Sequence, residues 1–167
     1  MASKKNEVQV RPTDDSATEQ ERVEMALAER YPAGCLEITV DTPIEQWPSS
    51  FEPGSRAFKA AVLNAMLTPD VQVSESWSEP FAVTDWIRMI RETVDDRTGE
   101  LRKYPWLALF CKDGEIIGTS SDVAPHQFAR GLRQFTAAEW KEGIPWQIRA
   151  KKSRTSPGYY HQLRIAL

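Results

Sequence analysis

The sequence predicts a mainly β fold of the α+β kind: five strands across its second half, with a helix between the third and fourth. Three observations carry this. Runs rich in β-branched and aromatic residues extend from Phe81 to Val94, Trp106 to Lys112 and Glu115 to Thr119. Asp113-Gly114 lies between the second and third runs, the pair that a tight hairpin turn favours. The apolar spacing then becomes helical at Phe128, Leu132 and Phe135, before strand signals return from Trp146 onward.

Taken in order, residues 1–17 are polar and charged, with too little apolar surface to offset the entropy of ordering, and they read as a disordered tail. Thr18 and Glu21 form a capping-box pattern that opens a helix to about Arg30, with Val23, Ala26 and Leu27 as its apolar stripe. Pro32 and Gly34 break it, and Cys35 to Val40 alternates like a half-buried strand, a candidate first strand of the sheet. Residues 41–54 hold three prolines and read as a connection. Ser55 to Leu67 places Phe58, Val62 and Ala65 or Met66 at helical spacing, and Thr68-Pro69-Asp70 ends that helix. Residues 18–80 are thus a helical and extended segment expected to pack on a core formed by residues 81–167.

Within that core, period-two alternation puts Phe81, Val83, Ile87 and Met89 on one face of the first strand and Trp86, Arg88 and Ile90 on the other. Asp95 to Glu100 is a hairpin loop, 106–112 and 115–119 are the next two strands, and 124–135 is one helix. Residues 146–167 form the final hairpin. A helix between the third and fourth strands of five is the order of an OB-like barrel, here with peripheral helices.

Composition bounds the function. A chain of 167 residues with 41% hydrophobic content holds one domain plus extensions, and a mean hydropathy of −0.50 fits a core diluted by polar tails. A net charge of −3 argues against coating duplex DNA by overall charge, yet binding follows the local patch. Cys35 and Cys111 show no paired or metal-ligand spacing and read as reduced thiols. No apolar run approaches ~18 residues, so neither a signal peptide nor a membrane span is expected, and the cytoplasm is the expected compartment.

The last 22 residues break the compositional pattern. Trp146 to Leu167 contains no Asp or Glu, while Arg149, Lys151, Lys152, Arg154 and Arg164 supply five positive charges among Trp146, Tyr159 and Tyr160. Cations neutralise phosphates and aromatic faces stack on unpaired bases, the pairing that single-stranded nucleic-acid platforms use. If Leu107 and Leu109 face the core, Trp106 and Phe110 face outward, joining Trp86 and Arg88 as a stacking set on the central strands. The predicted interface is therefore Trp86, Arg88, Trp106, Phe110, Arg149, Lys151, Lys152, Arg154, Tyr160 and Arg164. Two competing readings stand beside it: a solvated hairpin whose charges only keep it soluble, and a second core layer in which the N-terminal segment covers the central rings.

A resemblance adds to this reading. Thr93 to Glu100 as an acidic hairpin, Trp106 to Phe110 and Lys112 to Ser121 as the central hairpin, His126 to Leu132 as a barrel-closing helix, and Ile144 to Ile148 with Gly158 to Leu163 as the last two strands recur in this order in a known group. Over about half of its length the chain resembles the small OB-fold single-stranded DNA-binding proteins of bacteriophages and mobile elements. The resemblance implies a protein that protects single strands in replication or recombination with little sequence preference. Single-stranded DNA is the implied partner, with RNA, replication or recombination proteins and self-association left open, in the host cytoplasm for a phage-encoded chain. The alternative is a protein-interaction module of a phage replisome or virion.

Enzyme chemistry finds no foothold in the sequence. His126 and His161 lack acidic or cysteine partners at ligand spacing, so no metal or other cofactor is expected. Ser120-Ser121-Asp122 reads as the N-terminal cap of the following helix, not as a nucleophile.

Overall fold

The computed structural model describes residues 37–71, 76, 77 and 79–166. The tail 1–17, the helix from Thr18 to Arg30, and Cys35 and Leu36 lie outside them. Helix α1 (Arg56–Leu67) comes first, its Ser55 cap accepting the Phe58 amide at 3.0 Å. Strands β1 (Phe81–Val94), β2 (Leu101–Cys111) and β3 (Ile116–Thr119) follow, then helices α2 (Val123–Leu132) and α3 (Ala137–Glu142), then β4 (Ile144–Lys152) and β5 (Tyr159–Ile165). The strands make one antiparallel sheet in the order β3-β2-β1-β4-β5, so the fold is mainly β with three α-helices among the described residues, and the sheet is not closed by a backbone ladder.

The sheet splays at its centre. β1 and β4 pair over only three residues, Phe81–Val83 against Ile144–Trp146. Beyond that point each freed edge takes a short N-terminal partner, because buried backbone polar groups must be paired. Arg88 N donates to Pro48 O at 2.8 Å and Ser50 N to Trp86 O at 3.0 Å, while Trp77 N donates to Ile148 O at 2.9 Å along β4. Residues 37–40 form no strand; Ile38 is buried in the layer over the sheet, so the part of the expected first strand that is described belongs to the covering segment.

Each face of the sheet carries a core. On one, Phe128 of α2 lies 5.2–5.7 Å from the rings of Trp86, Trp140 and Trp146, above Leu107 and Leu109. On the other, Trp47, Phe58, Val62 and Ala65 cover Ile87, Met89, Trp106 and Ala108. Full burial of large apolar side chains stabilises by roughly 1.5–3 kcal/mol each, so the second layer is a substantial part of the fold.

Three elements differ from the sequence expectation for local reasons. β2 starts at Leu101 instead of Trp106 and runs through Pro105, which β2 accommodates because β3 reaches only to Leu107 and leaves Pro105 on an edge. The helix expected over 124–135 is present as α2 and ends at Leu132, and a second helix that the sequence reading lacks, α3, follows it, started by the capping box of Thr136 and Glu139. A β-bulge at Val83–Asp85 shifts the register of β1 by one residue. Val83 and Trp86 therefore share a face, with Ile87 and Met89 opposite. Among the described residues no helix is long and apolar enough to cross a membrane.

Candidate functional site

The predicted residues separate into two groups. Trp86 is 2% exposed and Trp106 is fully buried, so neither ring offers a face to a base. The bulge turns Trp86 into the α2-side core, while the N-terminal layer covers Trp106, with the Arg91 guanidinium 4.3 Å from its ring centre. Phe110 is half-buried against the edge of Phe51, 5.2 Å away. Arg88, 5% exposed, is buried with Trp86. The expected stacking set is thus split between two covered faces, Trp86 and Arg88 on the α2 side and Trp106 with Phe110 under the N-terminal segment, which forms a second core layer.

The other group comes together. Cross-strand register pairs Gln147 with Arg164, Arg149 with Gln162 and Lys151 with Tyr160. Trp146, Ile148, His161 and Leu163 alternate with these and are buried, so strand geometry places all six on the outward face of β4–β5. Arg149, Lys151, Lys152, Arg154 and Arg164 are exposed, and none pairs with a described acidic side chain. Arg164 donates to Gln147 Oε1 through Nε and Nη2 at 3.1 and 3.0 Å, which ties its guanidinium to the neighbouring strand. The tip is built on Ser153, whose Oγ accepts the amides of Thr155 and Ser156 at 3.3 and 3.2 Å, with Gly158 at φ 130° closing the turn. Arg154 is displayed at its end.

Chemically, this face offers cationic donors at strand spacing beside Tyr160, with Tyr159 half exposed across from Lys152. Other polar groups are already engaged. Asp70 is held by Arg91 and by the Tyr104 hydroxyl, 2.7 Å away; burial first and then that bond push Tyr104 up to about 12. Burial, with Asp113 and Glu115 nearby, pushes the Cys111 thiol up to about 12, so it is no nucleophile at neutral pH. Among the described residues no three His, Cys, Asp or Glu side chains converge as metal ligands.

Arg88 is not the outward interface residue that the sequence predicts. Burial lowers it from its ordinary value to about 10 against the opposing field of Asp122, so it stays charged at neutral pH, and its Nε and Nη1 find no hydrogen-bond partner. The signal that could have located it is Thr84-Asp85, two consecutive polar residues inside an apolar strand, which mark the bulge that turns Arg88 inward. This chain matches no known protein-family model, no curated protein and no solved structure.

Proposed function

We propose that the chain binds single-stranded nucleic acid, DNA first, on the outward face of the β4–β5 hairpin, with little sequence preference. The observation that carries the proposal is the convergence of Arg149, Lys151, Arg164 and Tyr160 on one exposed, acid-free sheet face, with Arg154 at its tip. Cations at this spacing follow a phosphate backbone, and Tyr160 adds a stacking face worth ~1–3 kcal/mol per base. The architecture of the proposal is OB-like. The strand order with α2 between β3 and β4 is the connectivity of that barrel, which is partly open by nature. Thr119 and His161 meet where its two edge strands would approach. Coating of exposed strands during replication or recombination is the role this surface serves.

The test is fluorescence anisotropy of a labelled oligothymidine across a salt series. Counterion release makes affinity fall with salt by about 0.7 per phosphate contact for single strands. Replacing Arg149, Lys151, Lys152 and Arg154 by Ser should weaken binding and reduce the logarithmic slope by up to about 3. An unchanged slope removes these residues from the phosphate path and the proposal with them. A second reading, a protein-interaction module, is favoured by exposed Leu63, Met66 and Leu67 along α1, the last 77% exposed. Partner binding through that stripe would be nearly insensitive to salt.

A further inference from the structure

A cavity of about 300 Å³ opens between Glu37–Thr39, Arg88 on β1, Pro105 on β2 and the first turn of α2 from Asp122 to His126. It shares no lining residue with the β4–β5 face. Buried polar groups in native proteins are almost always hydrogen-bonded, yet Arg88, which lines this space and is 5% exposed, leaves Nε and Nη1 unpartnered. Asp122 lies at the α2 N-cap but makes no side-chain capping bond; Ser121 Oγ accepts the Val123 amide instead, at 3.3 Å. The Asp122 carboxylate is therefore free of its usual capping duty, and it does not close to an ion pair with Arg88. Glu37 supplies a second carboxylate, and Ile38, Pro105 and Pro125 supply apolar walls.

This donor and acceptor set selects its ligand class. A buried guanidinium needs acceptors, and two carboxylates at the same opening need donors, which disfavours phosphate or any other purely anionic group. The apolar walls suit the faces of a flat ring. The volume is at the lower limit of small-molecule sites. Guanine presents two acceptors, O6 and N7, beside two donor groups, N1–H and the N2 amino group. Arginine to O6 and N7 is the commonest specific base contact. Cytosine and adenine each offer a single donor group for the two carboxylates.

We propose that this cavity is a guanine-binding pocket in which Arg88 donates to the base acceptors and Asp122, with Glu37, accepts from its donors. The pocket is independent of the strand-binding reading, because the base could be a free nucleoside or one residue of a strand.

Titration calorimetry of the full chain with guanosine, adenosine and cytidine tests it. Guanosine should bind at least about tenfold more tightly than either of the others. Arg88→Lys, which keeps the charge but loses the planar fork, and Asp122→Asn should each weaken guanosine by a similar factor. Asp122 is exposed and caps nothing, so Asp122→Asn should stay folded, losing only the field it exerts on Arg88, and it decides the matter if Arg88→Lys fails to fold. The four-Ser hairpin variant should bind guanosine as the parent does, which separates failure of this pocket from failure of the strand face. Oligothymidine with one central guanine, compared with oligothymidine alone, distinguishes the sources: tighter binding assigns the pocket to a base in a strand, equal binding to a free nucleoside. Equal response to all three nucleosides, no guanosine binding at millimolar concentration, or an unaffected Asp122→Asn would each overturn the proposal.

Discussion

His161 Nδ1 lies 2.7 Å from Thr119 Oγ1, with both residues fully buried, and this contact joins the edge strands β3 and β5 where no backbone ladder runs. Ser121 reinforces it: its Oγ accepts the His161 amide at 3.2 Å and donates to the His161 carbonyl at 3.3 Å. A side chain thus occupies the place of a neighbouring strand. The sheet leaves its seam to three polar residues, which makes that seam sensitive to single-atom changes.

Thr119→Val, which keeps the shape and removes the hydroxyl, should cost about 2–4 kcal/mol, because it strands His161 Nδ1 and the Ser121 amide that Thr119 also accepts. Thr119→Ser should recover most of the loss. Urea unfolding of the three proteins checks this, and a loss below that of an exposed Thr→Val change would mean the seam contributes nothing.

Trp106 and Tyr160 were expected to behave alike, and the structure separates them. Trp106→Ala should destabilise by ~3–5 kcal/mol, the cost of emptying a fully buried aromatic site. Tyr160→Ala should melt close to the parent and weaken oligothymidine binding by ~1–3 kcal/mol. Thermal melts run beside anisotropy titrations decide between them; equal melting losses would place Tyr160 in the core as well.

Gly118 is the counterpart of Trp106. A Cβ added there would lie 1.5 Å from the indole ring, which sits directly over the glycine. The ring has no room to retreat beneath the α1 layer, so Gly118→Ala should destabilise by at least about 1–3 kcal/mol. The double variant Gly118→Ala, Trp106→Leu should recover part of that loss in a double-mutant cycle on urea midpoints. Strict additivity would show that the two positions do not compete for one space.

How far the sequence speaks for itself is visible in β1 and its neighbours. The bounds of β1 and the Asp113-Gly114 turn, with Gly114 at φ 91°, follow from local chemistry, and so they are legible. Which face of β1 carries Trp86 and Arg88 is not, because a single bulge inverts every later side chain, and only Thr84-Asp85 marks it. Alternation also reports that Trp106 and Phe110 share a face without reporting what covers it. That cover comes from Trp47 and Phe58, tens of residues away. The hairpin face is legible for the opposite reason: among the described residues no distant layer covers it, so the alternation of Gln147, Arg149 and Lys151 with Trp146 and Ile148 decides their exposure.

Arg88 yields the last prediction. Burying a guanidinium without acceptors is unfavourable, and here only the more distant Asp122 offsets it. Arg88→Met matches the stem in length and apolar character, so it should raise the stability of the ligand-free protein at pH 7 by about 1–3 kcal/mol. The sign with pH follows from the lowered value. Folded Arg88 releases its proton near 10, whereas the unfolded side chain holds it to the ordinary, higher guanidinium value. The unfolded parent therefore binds more protons across that window, and the stability of the parent relative to Arg88→Met rises as pH passes 10. The advantage of the variant should be constant from pH 6 to 9 and shrink above that, as measured by paired urea midpoints at each pH. A destabilised Arg88→Met at neutral pH would mean that the guanidinium is satisfied within the folded chain, and the cavity beside it would then have no unmet donor to offer a ligand.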